Sequence, residues 1–245
     1  MSTAALTDRS ERPSLARLGR VEARKMVDTR SGLWLLALTA LASLASVVVA
    51  IIFDDDNRDF GQMFVDAMLA ASILMPIIPI LLVTSEWSQR TALGTFALTP
   101  IRERVMTAKL LALLVLLVAF SVLCLGMSAL GAAVAGTGLG FDGSGAGEVL
   151  LYQSLSLLFG FGLAAVLMNS PAAIVLNFVV PILIAAVAAI SVGVQDVVAW
   201  IDPSVWSDLA DGSANDWDKI ATSTLAWVVL PIAVGLVRLR RRDVS

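Results

Sequence analysis

The sequence contains no histidine, a single cysteine and a single tyrosine, and only 15% of its 245 residues are charged. Without histidine, imidazole acid–base chemistry, Ser-His-Asp hydrolysis and the common histidine-ligated metal sites are excluded. One cysteine, Cys124, excludes an internal disulfide, and its place in an apolar run suits a small buried hydrophobe. No heptad is sustained, and coiled-coil, collagen-like and disulfide-stapled classes drop out. What the chain has instead is hydrophobicity. It is 58% apolar with a mean hydropathy of +0.87, against ~45–50% apolar and ~25% charged in soluble domains. Uncharged runs of about 20 residues mark an α-helical membrane protein.

The first 31 residues are polar and basic. The apolar run after them is too long for the core of a cleaved signal and reads as a retained first span. Within residues 13–30, Leu15, Leu18, Val21 and Val27 fall loosely on one side of a helix. Arg17, Arg20, Arg24, Lys25 and Arg30 occupy much of the rest. Such a helix suits the membrane interface; the alternative is a basic tail that only orients the chain. Six apolar segments follow, at 32–53, 62–84, 106–136, 149–168, 172–194 and 222–238. The third exceeds a straight span and is expected to project beyond the bilayer. The sixth is short, but Trp227 and the arginines after it fit a terminal span with snorkelling ends. The expected fold is therefore an all-α integral membrane protein. It has a basic tail and interfacial elbow helix at 1–31, a six-helix transmembrane domain at 32–238 and a basic tail at 239–245.

Charge sets the orientation. With a cytoplasmic N-terminus, every basic residue except Arg58 and Lys219 falls inside, including Arg90, Arg102, Arg104 and Lys109 after the second span. Of the carboxylates, Asp8, Glu11, Glu22, Asp28, Glu86, Glu103 and Asp243 fall inside and the rest outside or near the outer face. Both termini are then cytoplasmic. The outer connections are a short acidic turn at 54–59, a Gly-rich loop at 136–147 and a longer stretch at 195–221. The last holds Trp200, Trp206 and Trp217 among five aspartates, and short helices there would set the indoles at headgroup depth. Asn169-Ser170-Pro171 forms a tight inner hairpin.

The most informative stretch joins spans two and three. Glu86 and Arg90 are spaced to pair on one helical face. Leu93, Phe96 and Ala97 form an apolar ridge, and Pro100 ends that segment. A compact knob with an apolar tip and a basic flank reads as a docking surface, or as an interfacial helix packed only on its own protein.

These residues carry a resemblance. Glu86-Trp87, Arg90-Thr91, Thr99-Pro100 and Arg102, followed by Ala108-Lys109, resemble the pattern after the second span of bacterial ABC type-2 transporter permeases. The tail from Thr222 through Trp227, Pro231 and Gly235 to the basic end is similar to many members, as is a helix with Glu22 and Lys25 before span one. The resemblance implies a type V exporter architecture, with a coupling helix within 86–97 seated in a separate cytoplasmic ATPase. The coupling segment would span 85–105 and include Glu86, Trp87, Arg90, Thr91, Leu93, Phe96, Pro100 and Arg102. The inner hairpin at Asn169 would be a smaller second contact. The resemblance also implies a second permease copy or paralogue, lipid contacts, no nucleic acid and a place in the bacterial plasma membrane. The chain has no phosphate-binding Gly-x-x-x-x-Gly-Lys-[Ser/Thr] loop; ATP and Mg would sit on the partner, and the chain itself is not expected to be an enzyme. The outer connection departs from the family in being more acidic and richer in tryptophan.

Polar residues inside the spans are few. Asp66 lies near the outer end of span two, where it can snorkel or face a pathway. Pro181 frees the carbonyl of Asn177, and Pro76 and Pro79 free those of Ser72 and Met75, so both helices are expected to bend. These positions are candidate walls of a cavity, hinges of a gate, or ordinary kinked packing. Ser156, Gly160 and Ala164 make a small-residue stripe suited to internal packing more than to a dimer seam. No paired intramembrane carboxylates and no ring of polar residues are evident, which disfavours an intramembrane enzyme and an ion channel. The function expected is the permease subunit of an ATP-driven exporter of an amphipathic compound (drug, lipid or peptide). The alternative is a membrane scaffold or sensor that recruits a cytoplasmic partner without transport.

Overall fold

The computed structural model describes residues 14–53, 59–88, 102–140, 145–210 and 212–241. Among them every regular element is helical. Helix α1, Leu15–Asp28, starts where Ser14 Oγ accepts the Arg17 amide at 3.3 Å. A single residue, Thr29, separates it from α2, Arg30–Phe53. Thr29 Oγ1 accepts the Gly32 amide at 3.1 Å. A Cβ on Gly32 would lie 2.0 Å from the Met26 carbonyl oxygen, so only glycine lets the chain turn this tightly. The first span thus begins at Arg30, and this arginine opens α2 rather than closing the basic helix.

The second span is two helices, α3 (Phe60–Ser72) and α4 (Ile77–Ser88). They are bent by 41°. The sequence places Pro76 where its ring would clash with the Ser72 carbonyl, and α3 ends at Ser72. The break is held by three-residue bonds: the amides of Leu74, Ile77 and Ile78 donate to the carbonyls of Ala71, Leu74 and Met75. Pro79 makes no second break. It stands third in α4, where an N–H would have no intrahelical partner anyway.

Helix α5, Arg102–Ala135, has 34 residues. It rises about 51 Å at 1.5 Å per residue, well beyond a ~30 Å hydrocarbon core. Only Met168 and Asn169 separate α6 (Ala146–Leu167) from α7 (Ser170–Ala188), which makes the tight hairpin expected there. Met168 takes a left-handed conformation, φ 52°. The Asn169 side chain caps α7 by accepting the Ala172 amide at 3.0 Å.

Span five stops earlier than its apolar run suggests. Ser191 Oγ caps a new helix, α8 (Val192–Val198), at the Val194 amide, so residues 190–194 belong to the connection. Pro181 leaves α7 in one piece; one ladder bond is lost while the flanking turns keep theirs. A 3-10 turn, Pro203–Trp206, leads into the short α9, Ser207–Ala210. The last span starts earlier than expected: α10 (Trp217–Thr224), a π turn (Leu225–Val229) and α11 (Leu230–Arg241) follow without interruption. Trp217 and Lys219 therefore lie on the helix, not in a loop.

Five helices are long and apolar enough to cross a membrane, or six if the bent pair is one span. Two of them, α2 and α5, leave much of their aliphatic surface uncovered. Helix α2 turns Leu33, Trp34, Leu41 and Ile52 outward and buries Gly32, Thr39, Ser43 and Val47. On α5, Leu114, Val118 and Val122 face out while Ala108, Ala112, Cys124 and Ser128 face in. Small and polar residues join large apolar ones in the interior, while rows of aliphatics stay outside, which suits lipid as the surrounding solvent. The buried hydroxyls act as cross-links: Ser43 Oγ donates to the Ala67 carbonyl of α3 at 2.7 Å. The small-residue stripe on α6 packs internally, with Gly160 against the Pro76 carbonyl and Ala164 fully buried.

Candidate functional site

Two features stand out, at different levels of the bundle. The first is charged. Lys109, two turns into α5 where its long aliphatic run begins, is only 2% exposed. Its Nζ donates to Glu22 Oε2 at 2.8 Å and to the Leu82 carbonyl at 2.9 Å. The other Glu22 oxygen accepts from Lys25 Nζ at 2.6 Å. The Glu22 side chain is 6% exposed and that of Lys25 36%, so one ammonium is interior and the other stands at the rim. An isolated buried carboxylate is costly, and the pairing with Lys109 is what allows Glu22 to face inward. One salt bridge and one carbonyl bond thereby tie α1, α4 and α5 together.

The buried face of α1 is Gly19, Glu22 and Met26. Leu15, Val21 and Val27, expected as its working apolar side, stay exposed. The helix is anchored to the bundle through a charge, with its aliphatic side left uncovered. Nearby, the hydroxyls of Thr84 (α4) and Ser170 (α7) share a 2.6 Å hydrogen bond. Arg238 of α11 donates to the Val166 carbonyl at the end of α6. The ends of α4, α6 and α11 and the starts of α5 and α7 thus gather at one end of the bundle with α1. From this platform rise both stems of the connection between spans two and three: Glu86 and Trp87 lie in α4, and Arg102 opens α5. Arg90, Thr91, Leu93, Phe96 and Pro100 lie outside the described residues.

The second feature is a cavity of about 380 Å³. It is walled by the break in span two, by the face of α6 running from Tyr152 through Ser156 to Phe159, by α7 around Asn177, and by the turn that carries Trp206. That turn belongs to the connection after α8, away from the Thr84–Ser170 end. Phe159 is the backstop: its ring meets Trp206 edge-on at 5.9 Å and Trp227 at 5.7 Å. Ile73 and Phe178 line the cavity and are exposed, so the mouth opens on the aliphatic flank. No charged side chain lines it.

Of the positions singled out in the sequence, Pro76, Asn177 and Pro181 meet in this cavity, joined by Ser156. Pro79 and Asp66 do not line it. Asp66 is half-buried on α3 and accepts from Gln62 Nε2 at 3.0 Å. Trp206, expected at headgroup depth, is only 3% exposed and is part of the cavity wall. Pro203 and the Asp202 cap, whose carboxylate accepts the Ser204 amide at 2.8 Å, fold it inward. Sequence reasoning missed Tyr152 and Trp206, which have no local signature of a cavity. It also missed the depth of Lys109, whose one visible signal is a lone cation followed by a long aliphatic run. Among the described residues no group of three or more histidine, cysteine or carboxylate side chains is placed to hold a metal. Comparison with protein-family models and with curated proteins gives no match to the chain.

Proposed function

We propose that this chain is the membrane-spanning permease subunit of an ATP-driven exporter, powered by a separate cytoplasmic ATPase that docks on residues 85–105. The observation that carries the reading is the place of the span-two break. Helix α4 is bonded at its middle, through the Leu82 carbonyl, to Lys109 of α5 and so to α1, and it begins beside the cavity wall at Pro76. A push on the 85–105 connection would move α4 with that platform, and the hinge at 73–76 would turn the motion into a change of cavity shape. Nucleotide binding and hydrolysis on the partner supply the difference in free energy between the two states. The chain contributes a lever, a hinge and a wall.

The basic residues gathered at the platform end support a cytoplasmic placement for it, and in this reading the cavity lies toward the outer leaflet. In this reading Trp87 and Arg90 are contact residues for the ATPase. Trp87→Ala and Arg90→Glu are each expected to cut co-purification of the ATPase at least tenfold, while membrane insertion and the thermal stability of the chain stay unchanged. Full assembly and full ATPase activity in both variants would remove the docking assignment.

A further inference from the structure

Two residues of the cavity wall each carry a buried polar atom with nothing to bond to. Asn177 is 7% exposed and its Oδ1 has no partner; Trp206 is 3% exposed and its Nε1–H has none. Both side chains line the same space. Buried amides and indole N–H groups are nearly always paired, and each unpaired one weakens the fold. Packing alone does not call for a polar atom at either position, since an aliphatic or phenyl side chain also fills apolar space. Tyr152, Ser72 and Ser156 add hydroxyls to an otherwise apolar wall, and no charged group is present to neutralise an ion. The other two such atoms among the described residues, Ser128 Oγ and Gln153 Oε1, belong to residues that do not line the cavity and take no part.

We infer that the cavity binds an uncharged amphiphile whose hydroxyl or amide group pairs with Asn177 and Trp206 while its apolar body lies toward Ile73 and Phe178. A hydroxyl is the smallest group that can donate to one and accept from the other. Ions are selected against because nothing in the wall would replace their hydration. The mouth on the aliphatic flank lets such a molecule enter from the bilayer without crossing water. This inference rests on the exporter reading for the meaning of the site, as the class of compound carried, but the binding itself does not depend on it.

The test is photolabelling of the full chain in lipid nanodiscs. Three probes share one diazirine-bearing acyl or alkyl chain and end in a glycerol monoester, a quaternary ammonium or a sulfonate. The glycerol ester is expected to label residues lining the cavity saturably, with each charged probe at least tenfold weaker. Asn177→Leu and Trp206→Phe are each expected to reduce labelling about tenfold, the usual scale of one restored hydrogen bond. Asn177→Leu should also raise the melting temperature, because it removes an unpaired group; a merely structural asparagine would lower it on removal. Equal labelling by all three probes, or labelling unchanged in both variants, would overturn the inference. If ATP added to the assembled complex releases the glycerol probe, the occupant is cargo; if it stays, the occupant is a resident lipid, and the site stands in both cases. Saturable labelling of a chain that brings no ATPase would keep the site and sink the exporter reading. An assembled ATPase with no labelling would do the reverse.

Discussion

Lys109→Met is expected to destabilise the chain by about 3 kcal/mol, at the lower end of the ~3–5 kcal/mol lost when one partner of a buried ion pair is removed. The sign follows from what is left behind. With Lys109 gone, the Glu22 carboxylate stays in the interior with its ion pair to Lys25, which sits at the rim. Lys25 keeps the loss from reaching the upper end of the range. Glu22→Leu combined with Lys109→Met is expected to come within about 1 kcal/mol of the parent, since removing both charges also removes their desolvation cost. Equilibrium unfolding in mixed micelles measures all the variants in one cycle. A double variant as unstable as the single one would show that the pair is not what holds α1 to α5. Under the proposed exporter function the consequence separates from stability: the double variant should fold yet respond less to the proposed ATPase, because α1 would no longer move with α4 and α5.

Gly160→Ala is the second large effect. A Cβ at this position would lie 2.5 Å from the Pro76 carbonyl oxygen and 3.4 Å from the Pro76 carbonyl carbon. The obstruction is backbone at the span-two break, which has no rotamer to change, so α6 must retreat from the hinge. Overpacking costs ~1–3 kcal/mol where side chains can give way, and here the upper figure is expected, about 3 kcal/mol. Gly126→Ala on α5 is the control. It meets nothing within 4 Å and should be neutral or stabilise by up to about 1 kcal/mol through helix propensity. Thermal unfolding of the two variants side by side separates the local clash from any general effect of adding a methyl group. Equal stability would mean that the close approach of α6 to the break is not a constraint.

The spans were legible because a run of uncharged aliphatic residues has few alternatives to a helix that hides its own backbone. The break in span two was legible for a stereochemical reason: proline cannot supply the amide that would have bonded Ser72. At Pro181 the helix is not parted: α7 runs from Ser170 to Ala188 through the one missing donor. The edges of spans five and six were misplaced because polarity alone does not mark them. Ser191 ends one helix and caps another inside an apolar run, and the polar residues 217–221 are helical all the same.

The candidate site was legible only in pieces. Pro76 and Asn177 announced themselves as polar or helix-breaking residues in apolar surroundings. Nothing near Trp206 in sequence distinguishes an interfacial indole from one folded back onto Phe159, because the partner lies on another helix 47 positions away. The Glu22–Lys109 pair joins residues 87 apart. A basic helix and a basic loop predict two solvated groups, and the three-dimensional packing of α1 on α5 converts them into one interior bond.

The measurement that tests the account most directly is purification of the chain from its native membrane in mild detergent, with mass spectrometry of what accompanies it. A soluble ATPase carrying a phosphate-binding loop, in one-to-one ratio with the chain, is the expected result. A chain that emerges alone, or only with partners lacking such a loop, across several detergents would contradict the exporter reading and leave a membrane scaffold or sensor in its place.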